Sequence, residues 1–244
     1  IAVPEVFAGA GWAWRNKLSL PFGRAGRGGK VVLGFYEKRS HTVVPLKDCP
    51  LHGEWAARLI AAVTEWANEN GVTVYDEKTG KGLLRHLVAR YVTTLSATLV
   101  VNGEGVPHID NLARKLDDAF GDYALYISPN TAKTNVILGD TVRLVRGRER
   151  AQNLGKFSAV VSPLSFLQVN DEVRDAVYDE AARALDGFDG DVVELYSGVG
   201  LLTAELASRL PEARIFCAEI VPEAVQDAKR LMGRLGFGDR VTPT

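Results

Sequence analysis

The sequence predicts an α/β protein in which an N-terminal α+β domain precedes the first half of a doubly wound parallel sheet. Two observations support this prediction. Strands and helices alternate without a repeat in the first part of the chain, and from about Phe157 apolar strands alternate regularly with helices. Regular alternation with apolar strands is typical of a parallel sheet covered on both faces. We therefore predict one domain at residues 1–156 and a second, partial domain at 157–244.

Length and composition are those of a globular protein. The chain has 244 residues, of which 46% are apolar, enough for one large or two ordinary domains. It begins with Ile1 and stops at Thr244, where the pattern predicts the start of another strand, so we expect it to be the middle part of a longer protein. Two cysteines do not make a disulfide framework, and no apolar run is long enough for a membrane span. We expect a monomer in the cytoplasm.

Charge is distributed unevenly along the chain. The net charge is −1, so no strong overall field attracts nucleic acid, yet residues 1–40 contain seven basic and two acidic residues. A local basic stretch of this kind binds phosphates or forms a solvated face. Both interpretations stay open at this point.

Apolar patterns predict the elements of the first domain. Lys17–Phe22 and Val31–Tyr36 flank a Gly/Arg-rich turn and indicate a β-hairpin. A helix closed by Gly71 follows, with an apolar face made of Trp55, Leu59, Ile60, Val63, Trp66 and Ala67. A second helical stripe consists of Ile109, Leu112, Leu116 and Phe120. Further strands are predicted within Leu84–Val101, Tyr123–Ile127 and Asn135–Leu138.

The second domain opens with a strand at Phe157 and a loop that leads to a helix. Asn170 is a good N-cap, and the two acids after it suit the exposed amides of a helix start. The apolar face of this helix is predicted to comprise Val173, Val177, Ala181 and Leu185. The next elements alternate strand, helix, strand, helix at residues 192–196, 201–210, 214–219 and from about Pro222.

The segment VVELYSGVGLLT, residues 192–203, has the pattern of a ligand-binding loop between a strand and a helix. Gly198 and Gly200 let the backbone turn sharply and approach a ligand. A dinucleotide site needs a third glycine, where this chain has Thr203. Glu194 comes earlier than the dinucleotide pattern expects, and such an acid can receive the positive end or the amino group of a ligand.

An acid at the end of the following strand indicates which ligand the loop takes. Glu219 stands where it can accept hydrogen bonds from the two ribose hydroxyls of an adenosine. The diol is common to NAD and S-adenosylmethionine, and the absent third glycine together with Glu194 favours S-adenosylmethionine. An incidental tight turn is the alternative.

The motifs SFLQVN, VVELYSGVGLLT and CAEIVPEAV resemble those of the bacterial RNA (uracil-5-)-methyltransferases. The upstream segments WRNKLSL, GFYEKRSHTVVPLKDCPL, LLRHLVARY and NTAKTNVILGD are similar to the central domain of that family. The resemblance spans nearly the whole chain and is greatest to the enzymes that make 5-methyluridine in 23S ribosomal RNA. It implies that residues 157–244 begin a class I, Rossmann-like S-adenosylmethionine-dependent methyltransferase domain.

The resemblance also assigns individual residues. It implies that Gln168, Tyr196 and Glu219 contact S-adenosylmethionine. From the residues alone, Gln168 is an ordinary polar residue before a helix, and Tyr196 packs in the sheet. Cys49 corresponds to the fourth ligand of a [4Fe–4S] cluster that many family members hold, whereas Cys217 is interpreted as a buried structural thiol.

The family's reaction also indicates what this sequence lacks. In family members a cysteine thiolate adds to uracil C6, C5 takes the methyl group, and a base then removes the C5 proton. The nucleophile lies in an SCNP-like motif and a key aspartate in a DPPR-like motif, and neither occurs in these 244 residues. We therefore expect a cofactor site without the catalytic cysteine and base.

We predict that Arg15 and Lys17 bind the RNA, with Arg85, His86 and Arg90 as weaker candidates. The alternative for Arg15 and Lys17 is that they are solvated surface charges, and the alternative for the Arg85 group is internal ion pairing. Three other functions stay open: a class I methyltransferase for a small molecule or protein, a non-catalytic RNA-binding fragment, and an NAD-dependent oxidoreductase. Thr203, in place of a third glycine, argues against the oxidoreductase.

Overall fold

The computed structural model describes residues 6–26 and 29–244, which divide into two compact units. One unit is Arg15–Arg150, and the other combines Ala151–Thr244 with residues 6–14. No helix within the described residues is both long and apolar enough to cross a membrane.

The unit Arg15–Arg150 is built on one seven-stranded sheet with two helices. The strands are β1 (Lys17–Ala25), β2 (Lys30–Tyr36), β3 (Val43–Pro45), β4 (Leu84–Tyr91), β5 (Leu95–Val101), β6 (Tyr123–Pro129) and β7 (Arg143–Gly147), and the helices are α1 (Glu54–Glu69) and α2 (Ile109–Phe120). The sheet order is β3-β2-β1-β4-β5-β6-β7, antiparallel except between β5 and β6. The predicted hairpin is confirmed as the antiparallel pair of β1 and β2.

The core of this unit lies where α1 and α2 pack against the sheet. All six residues of the predicted apolar face of α1 are buried. Trp66 is completely buried, and its indole N–H donates to the carbonyl of His108 at 2.9 Å, so the ring's one polar atom is satisfied. Gly71 follows α1 with a φ of +61°, the left-handed conformation that ends many helices.

The predicted strand at Asn135–Leu138 is wrong, because this segment is a loop. The side-chain amide of Asn130 donates to the carbonyls of Val136 at 2.8 Å and Ile137 at 2.9 Å. A side chain therefore satisfies carbonyls that would otherwise need a neighbouring strand. Val136 is 65% exposed, so this apolar side chain does not pack in a sheet.

The second unit contains a short hairpin and a parallel sheet. Its elements in chain order are β8 (Gln152–Leu154), β9 (Phe157–Ala159), α3 (Asp171–Arg183), β10 (Val192–Leu195), α4 (Leu201–Arg209), β11 (Ile215–Ala218), α5 (Pro222–Leu235) and β12 (Val241–Pro243). β8 and β9 are antiparallel, and β10-β11-β12 form a parallel sheet in that order. This confirms the predicted α/β alternation.

The parallel sheet is not covered on both faces, contrary to the prediction. On one face Ile215, Cys217 and Val241 are buried in the region where α4 and α5 pack. On the other face Val193 is 68%, Leu195 is 65% and Phe216 is 43% exposed. Within the described residues of this second unit, no element covers that face.

Helix α3 begins as predicted but buries a different face. The side-chain oxygen of Asn170 accepts the amide of Val173 at 3.2 Å, which is an N-cap bond. The predicted stripe is wrong, since Val177 is 55% exposed while Arg174 and Ala182 are buried. Arg174 is tolerated inside because it pairs with two carboxylates, those of Asp171 and Asp175.

Candidate functional site

Three residues between β10 and α4 adopt the left-handed conformation. They are Tyr196, Gly198 and Gly200, with φ values of +60°, +55° and +80°. A side chain at residue 200 would crowd α5, because its Cβ would lie 3.1 Å from that of Ala228. Tyr196 is a non-glycine residue in this strained region and is 88% exposed, so it does not pack in the sheet.

The carboxylate of Glu219 joins this glycine loop to the turn after β11. One oxygen accepts the amide of Gly198 at 3.0 Å, and the other accepts the amide of Val221 at 2.9 Å. A carboxylate offers about four acceptor positions, so these two bonds leave capacity for hydroxyl donors. The acid predicted to bind a ribose thus lies beside the glycine loop.

An open cavity of about 350 Å³ lies at the carboxyl ends of the parallel strands, where ligands bind in open α/β sheets. Its lining comprises Leu195, Tyr196, Ala218, Glu219, Ile220 and Thr244. Sequence reasoning missed Ile220, which is 88% exposed. The available signal was an apolar residue directly after the acid that ends a strand.

Glu194 points to the opposite side of its strand from the exposed Leu195. Its carboxylate accepts the hydroxyl of Thr203 at 2.6 Å, and Thr203 is completely buried in α4. Burial raises the pKa of Glu194 to about 7, although the Thr203 hydrogen bond acts to lower it. Thr203, in place of a third glycine, therefore fills the helix–strand contact and needs Glu194 as its acceptor.

Gln168 lies exposed in a loop that the structure fixes next to the glycine loop. The carbonyl of Phe166, two residues earlier, is 3.7 Å from where a Cβ on Gly198 would stand. Asp227 of α5 fixes the same loop, because its carboxylate accepts the amide of Ser162 at 2.8 Å and the hydroxyl of Ser165 at 2.7 Å. Asp227 is 1% exposed, and sequence reasoning missed it.

Neither cysteine lies in a set of metal ligands. Cys49 is half-buried in a turn of the unit Arg15–Arg150, and its backbone amide donates to the side chain of Asp48 at 2.7 Å. In the described part of the chain, no three His, Cys, Asp or Glu side chains group together as a metal site would require. A [4Fe–4S] cluster needs several thiolates, so these residues do not fit one. Cys217 is buried in β11, as predicted.

Arg15, Lys17 and Arg90 form a cationic group that we call the basic cluster. Lys17 and Arg90 are paired across β1 and β4, and the Arg15 guanidinium donates to the carbonyl of Lys17 at 3.1 Å. Burial lowers the pKa of Lys17, and the charges of Arg90 and Arg15 lower it further. Arg15 and Lys17 are half-buried, not solvated surface residues.

The other two weak candidates have different surroundings. Arg85 donates to the carbonyls of Asn130 at 2.5 Å and Ala132 at 2.9 Å and lies over the ring of Tyr75, so its bonds are internal. His86 lies beside it, and burial together with the Arg85 charge lowers the pKa of His86 to about 4. His86 is therefore uncharged at neutral pH.

Comparison with known proteins identifies proteins that are similar to this chain in sequence and in fold. No family model matches the chain. A Halalkalibacterium halodurans protein named an RNA methyltransferase is 33% identical over 242 residues, which cover 97% of this chain and 52% of that protein. A Clostridium tetani protein with the same designation is 34% identical over 224 residues, which cover 89% of this chain and 48% of the relative.

The chain is similar in sequence to bacterial proteins that are named RNA methyltransferases. It spans about half the length of the curated relatives it matches. The Pyrococcus abyssi tRNA (uracil-54, C5)-methyltransferase, solved in complex with S-adenosyl-L-homocysteine, has a TM-score of 0.74 and 22% identity over 92% of this chain and 54% of its own. This likeness shows that the chain shares the fold of that enzyme and confirms the predicted α/β fold class.

Proposed function

We propose that this chain forms the cofactor-holding and RNA-facing part of a methyltransferase that modifies uridine C5 in RNA, with 23S ribosomal RNA as the preferred target. The observation that carries the proposal is the Glu219 carboxylate, hydrogen-bonded to the Gly198 amide beside an open cavity at the strand ends. The relatives named RNA methyltransferases support the reaction class. We place the protein in the cytoplasm as a monomer.

S-adenosylmethionine, when bound, supplies an electrophilic methyl group. In our proposal Glu219 accepts hydrogen bonds from the ribose hydroxyls, and Tyr196 and Ile220 cover the flat faces of the adenine ring. Gly198 and Gly200 let the backbone approach the ligand, and Gln168 contacts it from the neighbouring loop. Glu194 acts indirectly, because its hydrogen bond with Thr203 holds the helix that follows the glycine loop.

The nucleophilic step needs a thiolate that this chain does not supply at the cofactor site. Cys217 is buried, and burial raises the pKa of its thiol, which disfavours the reactive form. Cys49 belongs to the unit Arg15–Arg150. We therefore propose that the catalytic cysteine and base are not among these 244 residues, and that a role of Cys49 in an iron–sulfur cluster would require thiolates from outside them.

The cofactor assignment is tested by calorimetric titration of residues 1–244 with S-adenosylmethionine and with NAD. We expect weak binding of S-adenosylmethionine and none of NAD, with no methyl transfer to a uridine-containing RNA. Glu219→Gln should weaken S-adenosylmethionine about 10- to 100-fold, because a charged acceptor is worth about 1.5–3 kcal/mol per hydrogen bond. The exposed Glu212→Gln is the matched control. NAD binding or RNA turnover would refute the assignment.

The RNA side is supported by the basic cluster, since RNA phosphates would offset the repulsion among its three cations. Arg15→Glu and Lys17→Gln should each weaken binding of ribosomal RNA hairpins by roughly tenfold and lower the salt dependence by about one ion. Arg114→Glu, on an exposed part of α2, serves as the control. Filter binding with ribosomal hairpins and transfer RNA compares the two targets. No RNA affinity in the unmodified chain would favour a small-molecule or protein methyltransferase.

A further inference from the structure

The unit Arg15–Arg150 contains a cavity of about 590 Å³ that includes none of the residues of the basic cluster. The ends of β1 and β2, the loop after β2, the turn at residues 74–78 and the start of β4 enclose it. We call it the hairpin cleft and define it by Arg24, Tyr36, His41, Tyr75, Lys78 and His86. Its volume is within the range of small-ligand sites.

Aromatic and guanidinium groups line the hairpin cleft. The rings of Tyr36 and His41 are 5.3 Å apart, and the Arg85 guanidinium lies 4.8 Å from the centroid of Tyr75. Tyr36 is 42% exposed, so a ligand can reach its ring. Flat surfaces of this kind are those on which unstacked nucleic-acid bases pack.

The charges of the cleft favour an anion at its rim. Its lining holds three cationic side chains and two acids; Asp76 accepts the amide of Lys78 at 2.8 Å, and Glu77 pairs with His41. In residues 6–26 and 29–244, neither Arg24 nor Lys78 forms an ion pair with an acid, and the Arg24 guanidinium donates to the carbonyl of Gly29 at 3.2 Å. Two cations are thus left without a carboxylate partner.

His86 provides a neutral polar group in the same wall. Its Nδ1 is buried and has no hydrogen-bond partner among the described residues. A buried polar atom without a partner costs free energy that a hydrogen bond would recover. A neutral imidazole carries one donor and one acceptor, which complements the edge of a base.

We propose that the hairpin cleft binds one unstacked nucleotide of the RNA substrate, with the base on Tyr36 and the phosphate on Arg24 and Lys78. This inference rests on the proposed function and adds to it a second RNA contact within the unit Arg15–Arg150. The cleft would fix the position of the strand while another nucleotide is modified.

The test measures affinity for a short fluorescent single-stranded RNA by anisotropy. Tyr36→Ala should weaken binding about tenfold, as expected for the loss of one base–aromatic stack, and Tyr36→Phe should keep most of it. Phe188→Ala removes a similarly exposed ring, 45% exposed, from the other unit and should change nothing. Ultraviolet crosslinking of the same RNA containing 5-iodouridine should label Tyr36 or Tyr75 in the unmodified chain.

The outcomes separate this proposal from the proposed function. If the RNA binds, Arg15→Glu weakens it and Tyr36→Ala does not, the hairpin cleft proposal is overturned and the RNA function stands. Crosslinks found only outside the cleft would also overturn the hairpin cleft proposal, and this result is obtained on the unmodified chain, so it does not depend on whether a variant folds. If the unmodified chain binds no RNA, both proposals are overturned.

Discussion

At the scale of single residues, Glu194 makes stability depend on pH. Its pKa is about 7 in the folded chain against 4.5 for an ordinary glutamate, so the folded state holds the proton more tightly. The stability this contributes is complete below pH 4.5 and is lost as pH rises toward 7. Glu194→Gln should therefore unfold like the unmodified chain at pH 4.5, and at pH 8 be more stable by on the order of 2 kcal/mol.

The measurement is thermal unfolding of both proteins by circular dichroism across this pH range. Gln keeps an acceptor for the Thr203 hydroxyl, so the comparison isolates the charge. Glu212→Gln should follow the unmodified chain at every pH, because this side chain is exposed. Parallel curves for Glu194→Gln and the unmodified chain would show that Glu194 titrates normally.

At the scale of elements, Asp227 connects helix α5 to the loop that carries Gln168. Its carboxylate has three donors: the Ser162 amide, the Ser165 hydroxyl and the Arg230 guanidinium. Asp227→Asn cannot accept from all three, so we expect a loss of about 1–3 kcal/mol in the free energy of unfolding. Because the loop then moves relative to the glycine loop, affinity for S-adenosylhomocysteine should fall about tenfold at temperatures where the variant is still folded.

Binding is measured by calorimetry well below the unfolding midpoint, which separates placement of the loop from general stability. Ser165→Ala removes one of the three donors and should show a smaller loss of affinity. The exposed Asp189→Asn is the control. An Asp227→Asn protein with a lower midpoint and unchanged affinity would limit Asp227 to a structural role.

At the scale of the whole molecule, the features that could be predicted from the sequence are those that depend on residues close together in the chain. The alternation of strands and helices from Phe157 onward, the Asn170 cap and the buried face of α1 follow from local pattern. The features that could not be predicted depend on contacts between residues that are distant in the sequence. Arg174 is buried because carboxylates neutralise it, and a hydrophobicity pattern cannot detect that. Asp227 acquires its partners only when the loop with Ser162 and Ser165 packs on α5, and Ile220 lines a cavity that forms only at the strand ends.

The uncovered face of the parallel sheet has a practical consequence. In residues 1–244, Val193, Leu195 and Phe216 present a row of apolar side chains to solvent before any unfolding. Dyes that fluoresce on apolar surfaces would bind this row before any unfolding occurs. Thermal-shift curves recorded with such dyes would start from a high baseline, so backbone signals are the better measure of unfolding for this protein. The same row makes high concentrations and high salt favour self-association, and dilute, low-salt buffers suit the binding experiments.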